Sequence, residues 1–252
     1  MLIIKNSEMK YVAISLILAS LITNMAWSQK QNAVQQNGWF MYFGNHILSE
    51  KWGLHTEYQW RRSEVIKESQ QSLIRLGIDY KLSERNTLTA GYGYIVSYPY
   101  GEQPIVKNLN EHRIWQTLTL NHTSGRFYLN HRYRLEQRFI ESATSDERVY
   151  KNRIRYRFMA TLPLAKKTLE PNTFFISMYE EVFIGFGKNI ASNVMEQNRL
   201  YAALGYKFTG KMNIQTGYLN QLIIKGDGVR QEINHTLQLA LFYNLDFRPD
   251  EQ

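Results

Sequence analysis

The sequence predicts an all-β protein: an up-and-down antiparallel transmembrane β-barrel of ten to twelve strands. Three observations predict it. Side-chain character alternates with a period of two through most of the chain, as it does when successive side chains point to opposite faces of a strand. The alternating runs are long. Arg126 to Ile140 spans fifteen residues, about 45–50 Å at the rise of a strand, whereas strands of soluble proteins usually stop at about 5–6 residues. After the N-terminal segment, no stretch of 18 residues is apolar, so a chain that crosses a membrane must do so with strands.

The fifteen-residue run shows the pattern best. Phe127, Leu129, His131, Tyr133, Leu135, Gln137 and Phe139 form one row, and Arg126, Tyr128, Asn130, Arg132, Arg134, Glu136, Arg138 and Ile140 the other. One apolar, aromatic-rich face and one ionic face suit a wall between lipid and a polar lumen.

The other elements follow in order. Gly38 to Leu48 alternates loosely. Trp52 to Arg62 sets Trp52, Leu54, Thr56, Tyr58 and Trp60 against Gly53, His55, Glu57, Gln59 and Arg61. Ser72 to Leu82 and Thr87 to Tyr98 are joined by the tight turn Ser83-Glu84-Arg85-Asn86. Pro99 to Asn110 is a long loop, and Glu111 to His122 the next strand. Val149 to Leu162 places Arg153, Arg155 and Arg157 on one face. Phe174 to Gly187 is apolar around Glu180-Glu181, and its facing is left open. Glu196 to Phe208, Lys211 to Ile224 and Gln231 to Phe247 complete the series. Connections alternate mostly between short turns and longer polar loops, as between the periplasmic and outer sides of an outer-membrane barrel. These segments number eleven, while bacterial single-chain barrels are normally even. Gln29 to Asn37, closed by Asn37-Gly38 as a hairpin turn, supplies a twelfth; alternatively, two segments are one bent strand.

Residues 1–28 read as a secretory signal, leaving a barrel over residues 29–252. Lys5 and Lys10 precede an apolar run from Tyr11 to Ile22, and Ala26-Trp27-Ser28 offers the small residues that cleavage needs. Met9 is an alternative initiator to Met1. Removing the segment takes Lys5, Lys10 and Glu8 from 30 basic and 22 acidic residues and leaves +7. The expected location is the outer membrane of a Gram-negative cell, with outer-membrane lipid and the barrel-assembly machinery as partners.

Lipocalin-like barrels carry apolar residues inside and mixed Lys, Glu, Ser and Thr outside. Here the polar face collects Arg61, Arg75, Arg113, Arg132, Arg134, Arg138, Arg153, Arg155, Arg157 and Arg199 with Glu57, Asp79, Glu111 and Glu136. Arg pairs in a planar, bidentate way with carboxylates, which suits a narrow, partly dry lumen. Gly77, Gly91, Gly93, Gly205 and Gly217 share that face and make room where side chains crowd. The predicted site is therefore a lumen ionic network. It acts as a plug, or lines a narrow porin-like pore that takes a small anionic solute.

Other chemistry is thinly represented. There is no Cys, and the six His are scattered, which removes disulfides, thiolate metal sites and metal-spaced His pairs. No phosphate loop or dinucleotide fingerprint occurs, so no cofactor is expected. The positive charge sits in strands rather than in an exposed patch, which argues against nucleic acid. His122-Thr123-Ser124 has the H-x-S spacing of a phospholipase-like outer-membrane enzyme. It falls at a short turn, where side-chain capping by Ser124 explains it, so no catalytic residue is assigned.

Several stretches together resemble one family. They are Trp52 to Glu57, Arg75 to Tyr80, Gly91-Tyr92-Gly93-Tyr94, Glu111 to Gln116, Arg132 to Phe139, Arg153 to Arg157, Glu181-Val182-Phe183 and Gly217 to Gln221. The chain resembles the domain of unknown function 2490 family over nearly all of its mature length. The resemblance implies an outer-membrane barrel and no established activity.

The mature protein is expected to fractionate with the outer membrane and to migrate faster on a gel before heating than after. Recovery as a soluble periplasmic protein without detergent would contradict this reading.

Overall fold

Strands that alternate over twelve to seventeen residues leave a sheet with long edges, and an edge of unpaired backbone groups is removed only by closing the sheet. A closed barrel is what the computed structural model contains. It describes residues 30–145 and 147–249; the expected leader, residues 1–28, lies outside them. Eleven strands follow in chain order: β1 (Gln31–Ile47), β2 (Trp52–Ser63), β3 (Glu68–Lys81), β4 (Asn86–Ser97), β5 (Leu109–Ser124), β6 (Phe127–Glu141), β7 (Arg148–Pro163), β8 (Thr173–Phe186), β9 (Met195–Lys207), β10 (Met212–Ile224) and β11 (Arg230–Tyr243). Sequential neighbours pair antiparallel, and β1 lies beside β11. None of the described residues is helical.

The even count expected of such barrels is not met: the strands number neither ten nor twelve. A meander of eleven brings its first and last strands together pointing the same way. Side chains and backbone along this seam meet at a constant offset of 199 residues. Gln231 donates to Asn32 at 2.6 Å, and the Asn45 amide donates to Asn244 at 2.9 Å. Phe43 stacks on Phe242 at 5.0 Å, and Ile47 bridges Asp246 in parallel. The Asn37-Gly38 hairpin does not form, because the chain runs straight through it with Asn37 opposite Ser63 and Gly38 opposite Arg62. β2 offers a continuous partner there, so turning would forfeit ladder hydrogen bonds.

Because each sequential pair reverses direction, β1–β2, β3–β4, β5–β6, β7–β8 and β9–β10 are joined at one end, the turn end. The other connections lie at the loop end. The longest of these, residues 98–108, joins β4 to β5. Gly125, at φ +58°, makes the two-residue turn between β5 and β6. Among the described residues, no side-chain bond from Ser124 caps it.

The alternation sorts side chains as the sequence implies, and it settles β8. Phe174, Ile176, Met178, Ile184 and Phe186 are exposed, while Thr173, Phe175, Ser177, Glu181 and Phe183 are buried. Inside, Trp39, Tyr201, Ala203 and Leu219 form an apolar cluster. Trp115, 0% exposed, lies over Gly77 and Gly91, which face each other on β3 and β4. A Cβ on Gly77 would come within 2.8 Å of the indole, and one on Gly91 within 2.7 Å. These two glycines make the room that the ring fills.

The seam is directly testable, since the chain has no cysteine. Neighbouring strands lie about 4.8 Å apart, within disulfide reach. Asn32→Cys with Gln231→Cys is expected to cross-link in the folded barrel, and Asn32→Cys with Tyr243→Cys is not. The opposite outcome would mean an antiparallel closure and an even strand count.

Candidate functional site

Inward positions on β2 to β9 carry a dense set of ions. The fully buried carboxylate of Glu136 on β6 is at its centre, 0% exposed. It meets Arg153 at 2.6 Å and Arg155 at 2.9 Å from β7, Arg113 at 3.4 Å from β5, and Arg75 at 3.7 Å from β3. The register explains the nearest contacts, because Glu136 sits opposite Trp115 on β5 and Arg153 on β7.

Other carboxylates extend the cluster. Glu57 pairs with Arg75 at 2.6 Å and accepts from Gln59. Glu111 pairs with Arg113 at 2.6 Å and Arg138 at 2.8 Å. Glu181 holds Arg132 at 2.6 Å and Arg155 at 2.7 Å, with Arg199 at 3.9 Å. Glu196 joins Arg138 at 3.3 Å and Arg153 at 3.0 Å.

Aromatic faces support several guanidiniums. Arg153, Arg155 and Arg199 lie 5.1, 4.2 and 4.6 Å from the Phe183 ring centre. Arg61 lies 3.9 Å over Trp39, and Arg134 4.7 Å over Trp115. Such contacts attract a cation to the ring face and hold its plane.

All fourteen predicted site residues lie on the inward rows. Thirteen of them join or abut this cluster. Asp79 does not: it accepts from Thr89 at 2.6 Å near the turn end. Three of these site arginines have no carboxylate within 4 Å among the described residues. Arg61 donates to Gln59 and Gln71, Arg134 to Thr117 at 2.8 Å, and Arg157 to Asn130 at 2.8 Å.

Sequence reasoning missed Glu181, Glu196, Glu232 and Tyr100. Glu181 was left open because β8 is apolar on both rows. Glu196 falls on the outward row of β9 by simple alternation. The register shift at Phe183/Ile184, where Ile184 pairs Met195 and Phe183 pairs Gln197, turns it inward. A bulge of this kind leaves one residue unpaired and re-aims its side chain.

The cluster separates two cavities. One, about 300 Å³, lies toward the turn end; the other, about 320 Å³, lies toward the loop end. Arg61, Arg75, Arg155 and Arg199, with Trp39 and Gln59, line both and form the wall between them. At the loop end, Tyr100 reaches from the β4–β5 loop across to β11 and donates to Glu232 at 2.7 Å, which also pairs with Lys225. Burial first, and the Glu232 carboxylate next, push the Tyr100 phenol up from its ordinary value, so it stays a donor. Among the described residues, no group of His, Asp and Glu could hold a metal ion.

Removing one partner of a buried ion pair leaves the other charge buried, at a cost of about 3–5 kcal/mol. Glu136→Ala takes one carboxylate from four guanidiniums, each of which keeps a second one, so it is expected to destabilise the refolded barrel by well over about 1 kcal/mol in urea unfolding. Glu170→Ala, which breaks only the exposed pair with Lys166 at 3.1 Å, should cost under about 1 kcal/mol. Equal small effects would mean that the cluster is hydrated. Glu141 would not serve as such a control: it ends β6, accepts from the Asn110 amide at 3.2 Å and pairs with Lys107 at 3.2 Å.

No curated protein and no solved structure matches the chain. The sequence profile of the family described as protein of unknown function DUF2490 matches residues 36–232. That stretch runs from within β1 to the third residue of β11 and includes every residue of the ionic cluster. The chain belongs to the DUF2490 family.

Proposed function

We propose that this protein is an outer-membrane β-barrel whose Arg/Glu-lined lumen is occluded, and that it performs no catalysis. The outer surface carries the reading. Its rows are apolar and exposed at mid-strand, as at Ile74, Leu76, Ile114, Leu200, Leu204, Leu237 and Leu239. Aromatic rings cluster at both margins. At the turn end these are Trp52 against Tyr80, Phe174 and Phe208 against Tyr206, and Tyr243. At the loop end they are Phe40 against Trp60, and Phe139 against Tyr150. Trp52 and Trp60 are eight residues apart, about 26 Å along the strand. At a tilt of about 40° that is about 20 Å of height, close to the apolar band of about 25 Å that aromatic girdles flank. An exposed face of this extent in water would be an aggregation surface; in lipid it is the solvated state.

Polar groups on these rows answer one another, as lipid requires. Gln116 and Gln137 bond across β5 and β6, and Tyr218 bonds His235 at 2.5 Å. Glu180 is the one mid-strand carboxylate on the outer rows among the described residues, and it accepts from Asn198 at 3.0 Å.

Occlusion rests on Glu136. A carboxylate with no exposure, tied to arginines of β3, β5 and β7, supports a filled interior at its level. A barrel of eight strands is filled by its side chains, and open channels need about sixteen; eleven lies nearer the filled end. The phospholipase-like alternative loses support at His122, whose ring stacks on His131 at 5.3 Å and, among the described residues, has no carboxylate to orient it.

Planar-bilayer recording decides between plug and pore. The refolded protein is expected to be electrically silent, and Glu136→Ala to show intermittent anion-favouring openings. A steady open conductance from the unmodified protein would replace the plug with a narrow pore.

A further inference from the structure

The turn-end cavity holds more cationic donors than the cluster itself uses. Its wall carries seven arginines against two glutamates, Glu57 and Glu181. Arg61, Arg134 and Arg157, the site guanidiniums without a carboxylate within 4 Å, all face it. Donors on its wall also lack partners: the Nε–H groups of Arg132 and Arg157 and the indole N–H of Trp115 are buried without a hydrogen bond. A buried donor left unmade costs about 1–3 kcal/mol, more when charged. Three such groups beside surplus positive charge describe a site lacking its acceptor.

We propose that this cavity binds a phosphate dianion, either as inorganic phosphate or as the phosphate of a small monoester. Several facts select the ligand class. The unpartnered groups on this wall are mostly donors, with Gln238 Oε1 the exception, and its seven arginines outnumber its two glutamates, so the ligand is an anionic acceptor. The arginines that line it come from β2, β3, β6, β7 and β9, a wide arc of the wall, which fits a tetrahedral group with three strong acceptor oxygens better than a planar carboxylate. Two of the cationic walls are rigid: Arg134 lies over Trp115 and Arg61 over Trp39, so little side-chain entropy is lost on binding. A volume of about 300 Å³ is at the small end of ligand sites and admits phosphate with a compact substituent. The cavity lies toward the turn end, away from the Tyr100 loop. In the outer-membrane reading that end faces the periplasm, so the ligand enters from inside the envelope.

The proposal rests on the occluded-barrel reading, and the experiment separates the two. The barrel is refolded in a phosphate-free sugar detergent and titrated calorimetrically with inorganic phosphate, a sugar phosphate, a short-chain phosphatidic acid and, for comparison, acetate. Saturable 1:1 binding of a phosphate compound, with acetate at least about tenfold weaker, is expected. Arg134→Gln and Arg157→Gln should each weaken binding about tenfold or more while heat-modifiable migration is retained, and Arg230→Gln, at the exposed loop-end start of β11, should leave it unchanged. Binding of phosphatidic acid alone, with the same dependence on Arg134 and Arg157, would support the site and identify a lipid headgroup as the source of the phosphate. Should an arginine variant fail to fold, Trp115→Phe keeps the ring, removes the orphan N–H, and is expected to weaken binding several-fold. No saturable phosphate binding by a folded, electrically silent barrel would overturn this inference and leave the occluded barrel standing. Equal binding by the folded arginine or Trp115 variants would overturn it as well.

Discussion

The burial of Glu136 among four guanidiniums is the contact on which the interior depends. An isolated carboxylate at that depth would be prohibitively costly, and so would each arginine alone. Together, drawn from β3, β5, β6 and β7, they tie strands that are not neighbours in the sheet. Backbone ladders join each strand only to the next one. The ion pairs are what cross the interior, and they bring the walls close enough for Phe183, Trp39 and Trp115 to stack against guanidinium planes. Glycine is required opposite the largest of these rings, which is why Gly77 and Gly91 face Trp115.

The charge within this cluster does not balance, and its surplus has a direction. Carboxylates concentrate toward the loop end, where Glu111, Glu196 and Glu232 lie, while Arg134 and Arg157 are left on the turn side of the wall and Arg61 stands in the wall itself. The two cavities therefore differ in character although they share six wall residues. One is stitched by ion pairs and by the Tyr100 loop; the other is a pocket rich in donors. An interior serving only as a plug would gain from neutralising both sides, since every uncompensated buried cation weakens the fold.

Closure imposes a second constraint. Eleven strands require a parallel seam, and parallel pairing is slightly weaker per residue than antiparallel. The seam is reinforced by side chains: Asn32 with Gln231, Phe43 against Phe242, Asn45 with Asn244, and the Leu245 amide on the His46 ring at 3.0 Å. The segment after β11 thus takes part in closing the barrel.

The chain's own alternation determined the barrel class, the inward rows of most strands, though not those of β1 and β8, and the arginines of the cluster. A period of two needs no long-range information, because each side chain's face follows from its neighbours along the strand. The identity of the central carboxylate was also legible, since Glu136 is the one acidic residue among Arg132, Arg134 and Arg138 with three arginines on the next strand. Partners across the interior were not legible. Arg75 reaches Glu136 from β3 and Arg132 reaches Glu181 from β6 because curvature brings non-neighbouring strands together, and curvature has no signature in sequence. The strand count was decided by which edges met, a property of the closed sheet. Glu196 turns inward through a bulge whose position depends on the β8–β9 register. The unpaired donors of Arg132, Arg157 and Trp115 emerged only once every other partner had a place, since a hydrogen bond left unmade belongs to the assembled structure and to no single stretch of chain.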